Sequence, residues 1–134
     1  MKFAKWTFLI AGIYGLLLVA PMVFMEQQMS QNFPPAINHP EYFYGFVIGT
    51  TAWQLVFLLI GRDPARYRAL MLPAILEKTY GIAALVLFAQ GRIPAVVFGF
   101  CAIDLLLGVL FVIAYVKTRE AAVMRHYDTL TARV

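Results

Sequence analysis

Charge is scarce in this sequence. Only 13% of its 134 residues are Asp, Glu, Lys or Arg, where a soluble domain carries about 25%. So few charges cannot cover a water-facing surface, which excludes an ordinary soluble domain. Cysteine is scarcer still. Cys101 stands alone, which excludes an internal disulfide and a multi-cysteine metal site. His39 and His126 have no H-x-x-x-H spacing, so no metal is expected. No Gly-rich phosphate loop, nucleophile elbow or paired-cysteine motif occurs, and no cofactor is expected. The net charge of +4 comes from basic residues at the ends of apolar segments. Membrane topology and anionic headgroups account for them, and no nucleic-acid partner is expected.

What abounds is apolar: 62% of residues are hydrophobic. A run of about 20 such residues crosses a bilayer as a helix. Four runs occur, at residues 6–25, 42–61, 69–89 and 93–116. The sequence predicts an all-α, integral membrane four-transmembrane-helix bundle, one domain over residues 1–134. A polar loop at 26–41 holds Pro34, Pro35 and Pro40, which rule out a long regular helix there. In the 62–68 loop, Asp63 can cap the next helix and Pro64 suits its first turn. Gln90-Gly91-Arg92 reads as a tight hairpin.

Positive charges set the orientation. Lys2, Lys5, Arg62, Arg66, Arg68, Lys117, Arg119, Arg125 and Arg133 fall on one side of the spans, against Arg92 on the other. By the positive-inside rule both termini, the 62–68 loop and the 117–134 tail are cytoplasmic, in a plasma or inner membrane. Lys2 and Lys5 before an apolar stretch also fit a secretory signal. The run continues to Met25 without an A-x-A cleavage site, which favours a retained helix.

Against this apolar background three charges stand out: Glu77 and Lys78 near the middle of the third span, and Asp104 in the middle of the fourth. Gln54 lies at similar depth. Summed as isolated groups, the three charges would cost roughly 7–10 kcal/mol to insert. Burying them together relieves that cost, with Lys78 neutralising one carboxylate. Adjacent residues on a helix differ by about 100° in direction, so Glu77 and Lys78 cannot both face the bundle axis. Small residues Gly81 and Ala84 share the Glu77 side, which suggests Glu77 and Asp104 inward. Lys78 is then expected at a helix–helix seam or snorkelling to the headgroups. Two readings follow: a small intramembrane pocket with an acidic floor and aromatic walls, or a polar clamp that specifies helix pairing.

Other features carry less. Gly45-x-x-x-Gly49 reads as a small-residue packing face within the chain, the alternative being dimerisation. His39 could exchange protons with an arriving ligand or simply be solvated. Tyr42, Phe43, Tyr44 and Phe46 read as an interfacial belt or the mouth of a cavity. Arg62, Arg66 and Arg68 suit anionic headgroups, so membrane lipids are expected partners.

Four spans with mid-depth Glu77, Asp104 and Trp53 resemble the small four-helix membrane proteins of the DoxX-like group and of the EXPERA-type group, which includes sterol isomerases and the sigma-2 receptor. That resemblance implies a cavity for a hydrophobic ligand, in which buried acids and a tryptophan surround sterols or cationic amphiphiles. Three roles are consistent with these residues. In the first, the protein binds or transports a lipid-like molecule, with Glu77 and Asp104 (and Gln54 and Lys78 beside them) at its polar end and Trp53, Tyr80, Phe100 and Phe111 along its apolar body. In the second, Glu77 and Asp104 act as an acid/base pair in an intramembrane isomerase. In the third, the chain is a structural subunit that needs a partner membrane protein.

Overall fold

The computed structural model describes residues 1–33 and 36–131, with side chains described as far as Arg125. Pro34, Pro35, Arg133 and the His126 side chain, used above, lie outside the described residues. The described chain is helical, without strands. Helix α1 covers Lys2–Val19 and tightens into a 3₁₀ turn at Ala20–Phe24, where Pro21 supplies no N–H. Helix α2 is Glu26–Asn32 and α3 is Pro40–Arg62. A 3₁₀ turn at Arg68–Leu70 leads into α4, Met71–Lys78, which Thr79 separates from α5, Tyr80–Ala89. Helix α6 is Ala95–Lys117 and α7 is Arg119–Thr131. Four stretches are long and apolar enough to cross a bilayer: Lys2–Phe24, Pro40–Arg62, Arg68–Ala89 and Ala95–Lys117.

The turns explain the helix ends. Gly91 adopts φ +68°, its N–H donates to Phe88 O at 2.9 Å, and the Arg92 N–H donates to Leu87 O at 2.9 Å. These are the two bonds of a Schellman cap. Across the resulting hairpin Phe88 and Phe98 stack at 4.5 Å, an arrangement worth about 0.5–1.5 kcal/mol beyond area burial. Pro40 opens α3 where a missing N–H costs nothing. At the α3–α4 turn, Asp63 Oδ1 accepts the Arg66 N–H at 3.1 Å.

Lipid is as apolar as leucine, so close backbone approach and dispersion hold such helices together. Helix α1 lies along α3, and α5 lies along α6. Between α1 and α3 the approach depends on Gly15, where a Cβ would stand 2.0 Å from Gln54 Oε1. Between α5 and α6 it depends on Gly81, where a Cβ would stand 2.7 Å from Leu105 Cγ and 3.0 Å from Cys101 O. Gly45 and Gly49 have nothing within 4 Å of a built Cβ. The packing face expected there is therefore outside the bundle, and the internal contacts fall to α1 instead.

The two helix pairs meet at one end only. This end, called the base, holds the N-terminus and the α3–α4 turn; the opposite end, the mouth, holds α2. Phe8, Phe57 and Phe111 pack at the base with Ala4, Ala11, Ile60, Met71, Ala74 and Ala114. Phe8 stacks on Phe111 at 4.1 Å, and Phe57 meets Phe111 edge-on at 5.0 Å. Thr118 is buried beside them, and its hydroxyl donates to Ala114 O at 2.9 Å. The Arg68 guanidinium lies 3.7 Å from the Tyr115 ring centre and donates to Tyr115 O at 3.2 Å, tying α4 to the end of α6. A cation suits the C-terminal carbonyls of a helix.

Towards the mouth the pairs separate. Helix α5 barely touches α1 or α3. Phe46 lies about three turns from Phe57 on one face of α3, and Phe100 about three turns from Phe111 on one face of α6. Phe57 and Phe111 are fully buried, whereas Phe46 is 50% and Phe100 49% exposed. The same two faces that close the base are therefore open nearer the mouth. There, Tyr44 Oη donates to Glu26 Oε2 at 2.8 Å, which fastens α2 to α3.

Candidate functional site

The polar centre sits where the packed base gives way to this opening. Lys78 ends α4, and its Nζ lies 2.7 Å from Asp104 Oδ1 on α6, donating a hydrogen bond, and 3.0 Å from Glu77 Oε2. The Phe57 ring of α3 is 5.2 Å from the same nitrogen. The lysine is thus the inward group, with its side chain only 5% exposed against 18% for Glu77 and 30% for Asp104. The expectation that the acids face inward in preference to the lysine is thereby corrected: Lys78 is the most buried of the three, and it does not snorkel to the headgroups but lies at the α4–α6 seam. The reason is visible along α4: Met71, Ala74 and Lys78 are its buried residues, one helical stripe, and Glu77 falls at the stripe's edge.

The two ion pairs differ in quality. The Asp104 contact is short and directed. Glu77 Oε2 is within ion-pair distance of the ammonium but without hydrogen-bond geometry, so this buried oxygen accepts no hydrogen bond among the described residues. Ionised throughout, the centre would hold two negative charges and one positive. Directly after Lys78 the helix winds tighter: the Thr79 N–H donates to Leu76 O at 3.0 Å and its hydroxyl to the same oxygen at 2.7 Å. That single 3₁₀ turn divides the third span into α4 and α5, where the sequence suggests one continuous helix.

The remaining candidate residues scatter. Gln54 is buried, and its amide N–H donates to Thr50 O at 3.1 Å, one turn back on its own helix, with its Oε1 against Gly15. It serves the α1–α3 contact. Trp53 is half-buried beside Phe57, with ring centres 6.3 Å apart. Phe111 belongs to the base core and cannot line a cavity as packed. Phe100 and Tyr80 are about half exposed. Phe46 and Phe100 are each about half exposed, on the faces of α3 and α6 that Phe57 and Phe111 close at the base. An apolar groove of about 210 Å³ lies at the α4/α5–α6 seam, lined by Ile75, Ile82, Leu105, Val109 and Val112 together with Lys78. Among the described residues no three His, Cys, Asp or Glu side chains converge as metal ligands.

No family model, curated protein or solved structure matches the chain. Tyr14 of α1 is close enough for the charges of Asp104 and Lys78 to be felt at its hydroxyl, and Tyr80 and Cys101 feel Asp104. His39 pairs with Glu41 at 3.0 Å on the exposed mouth surface, away from the centre. Sequence reasoning did not reach the Phe8–Phe57–Phe111 core, Thr118 or the Arg68–Tyr115 contact. Each is an ordinary residue in an apolar or terminal setting, without a spacing that marks it.

Proposed function

We propose that this chain is a multi-pass membrane protein that binds a lipid-like molecule with a cationic end. The apolar body lies in the cleft between the α1–α3 and α5–α6 pairs, and the polar end reaches Glu77 and Asp104. One observation carries the reading: two carboxylates share a single buried ammonium at mid-span, and both remain partly open. An unpaired charge at mid-bilayer costs about 2.5–3.5 kcal/mol on insertion scales. A cationic ligand removes that cost, which makes charge complementarity a source of affinity. Phe46, Trp53 and Phe100 supply the apolar walls. In this reading the base, with its Arg-rich turn, faces the cytoplasm and the cleft opens to the other side of the membrane.

Native mass spectrometry of the gently solubilised protein tests the proposal. A discrete adduct on wild type that is missing from folded Glu77→Gln and Asp104→Asn variants supports a ligand at the centre and identifies its class. The competing role is a helix clamp, favoured by the double pairing of Lys78. It predicts no specific adduct on wild type, and destabilised variants.

A further inference from the structure

The charge count at the polar centre has a chemical consequence that does not depend on which ligand binds. Lys78 can neutralise one carboxylate, and its directed 2.7 Å hydrogen bond goes to Asp104. Glu77 is left with a buried oxygen that accepts no hydrogen bond among the described residues. The polar and ionisable groups around the pair come from four helices. From α6 the only acid is Asp104 itself, near the Cys101 thiol; from α1 comes the Tyr14 hydroxyl; from α5, Tyr80; and from α3 the Phe57 ring and Gln54. Among the described residues none of these brings a second positive charge. One cation cannot neutralise two buried carboxylates, and the excess buried charge takes up a proton in preference to staying ionised.

We propose that the centre is a proton-binding site, occupied at neutral pH by one exchangeable proton on the Glu77 carboxyl. Resting on the binding role argued above, a ligand arriving as a cation displaces that proton. The O–H bond of Glu77 breaks, the carboxylate pairs with the ligand's positive charge, and the proton leaves to water at the open side of the cleft. The centre carries the same net charge before and after the exchange, so binding is coupled to proton release. Asp104 stays with Lys78 throughout.

Infrared spectroscopy of the protein in lipid nanodiscs tests this without a ligand. The carbonyl stretch of a protonated carboxylic acid is separate from carboxylate bands and shifts on exchange into heavy water. Wild type at neutral pH is expected to show one such band. Glu77→Gln removes it. Asp104→Asn removes it as well, because the freed Lys78 then pairs with Glu77 and ionises it. Lys78→Met roughly doubles it, since neither acid retains a cation. Should that variant not fold, Glu77→Asp keeps the test open by shifting the band's frequency without abolishing it. Absence of the band in wild type overturns the proposal, and so does a band that persists in Asp104→Asn. Failure of the binding reading is seen separately: the mass-spectrometric adduct is then missing while the infrared band remains.

Discussion

Replacing Lys78 by Met is the most informative single change. The side chain is nearly isosteric, so the loss is one of charge more than of volume. Removing one partner of a buried ion pair costs about 3–5 kcal/mol, because the other partner is left uncompensated. Here the two carboxylates are partly open, and protonation can relieve them, so a value near the lower end, about 3 kcal/mol, is expected. That corresponds to roughly a hundredfold change in the folding equilibrium. The acid variants behave differently. Glu77→Gln keeps the Asp104–Lys78 pair and Asp104→Asn keeps a Glu77–Lys78 pair, so each should lose no more than about 1 kcal/mol. The triple variant Glu77→Gln, Lys78→Met, Asp104→Asn removes every charge together and should recover most of the stability lost in Lys78→Met. Reversible unfolding in mixed micelles, titrated with a denaturing detergent, measures all four. The charge argument is wrong if Lys78→Met matches wild type, or if the triple variant is as unstable as Lys78→Met.

Further tests address packing and the base. Phe111→Ala should cost about 3–5 kcal/mol by analogy with buried aromatics, whereas Phe100→Ala, on the same face but half exposed, should cost under about 1 kcal/mol; equal losses in the same unfolding assay would contradict a base-only core. Gly81→Leu should disrupt the α5–α6 pair while Gly49→Leu leaves the monomer's melting temperature unchanged, since only the first meets Leu105 and the Cys101 carbonyl; a lower melting temperature for Gly49→Leu would place that face in a contact. At the α3–α4 turn, partial burial of Asp63 opposes ionisation, but hydrogen bonds from the Arg66 N–H and the Arg125 guanidinium outweigh it and hold the carboxyl below its ordinary value. A lowered value means that the contribution is complete above the ordinary carboxylate range and disappears as pH falls through the folded-state value. Protection of the α7 amides, taken relative to their intrinsic exchange rates at each pH, should therefore fall on acidification, and in Asp63→Asn should already be low at neutral pH; pH-independent protection in wild type would count against the Asp63–Arg125 tie.

Much of the architecture was legible because span length is a strong signal. Four apolar runs near bilayer thickness, separated by Gly and Pro, leave little choice of element type. Facing was not legible. In water an amphipathic stripe marks the buried side, but lipid tolerates leucine on every side, so periodicity loses that meaning. Hence Lys78 and Glu77, adjacent in sequence, could be assigned to either direction, and the small residues on the Glu77 side argued for the wrong one. Gly45 and Gly49 misled for a related reason. Their spacing permits a close approach without requiring one, and in this bundle Gly12 and Gly15 of α1 provide the approach to α3. The core phenylalanines were invisible because nothing distinguishes Phe57, buried, from Phe46, half exposed, except which end of the bundle closes.

That closure bears on whether the polar centre is a clamp or a site. A clamp needs one acid and one base, since such a pair is neutral and satisfies both helices. Asp104 and Lys78 already form it, directed and short, between α6 and α4. Glu77 adds nothing to that tie: it belongs to the same helix as Lys78, so its contact joins no new pair of helices. What it adds is a second acid, which must hold a proton or a second cation at a depth where charge is costly. The position of that acid matters as well. It lies beside the point where the aromatic core ends and the two helix pairs part, not within the closed base. A residue that contributes no helix pairing, costs insertion energy and stands at the foot of an opening is better explained by what it can bind than by what it holds together.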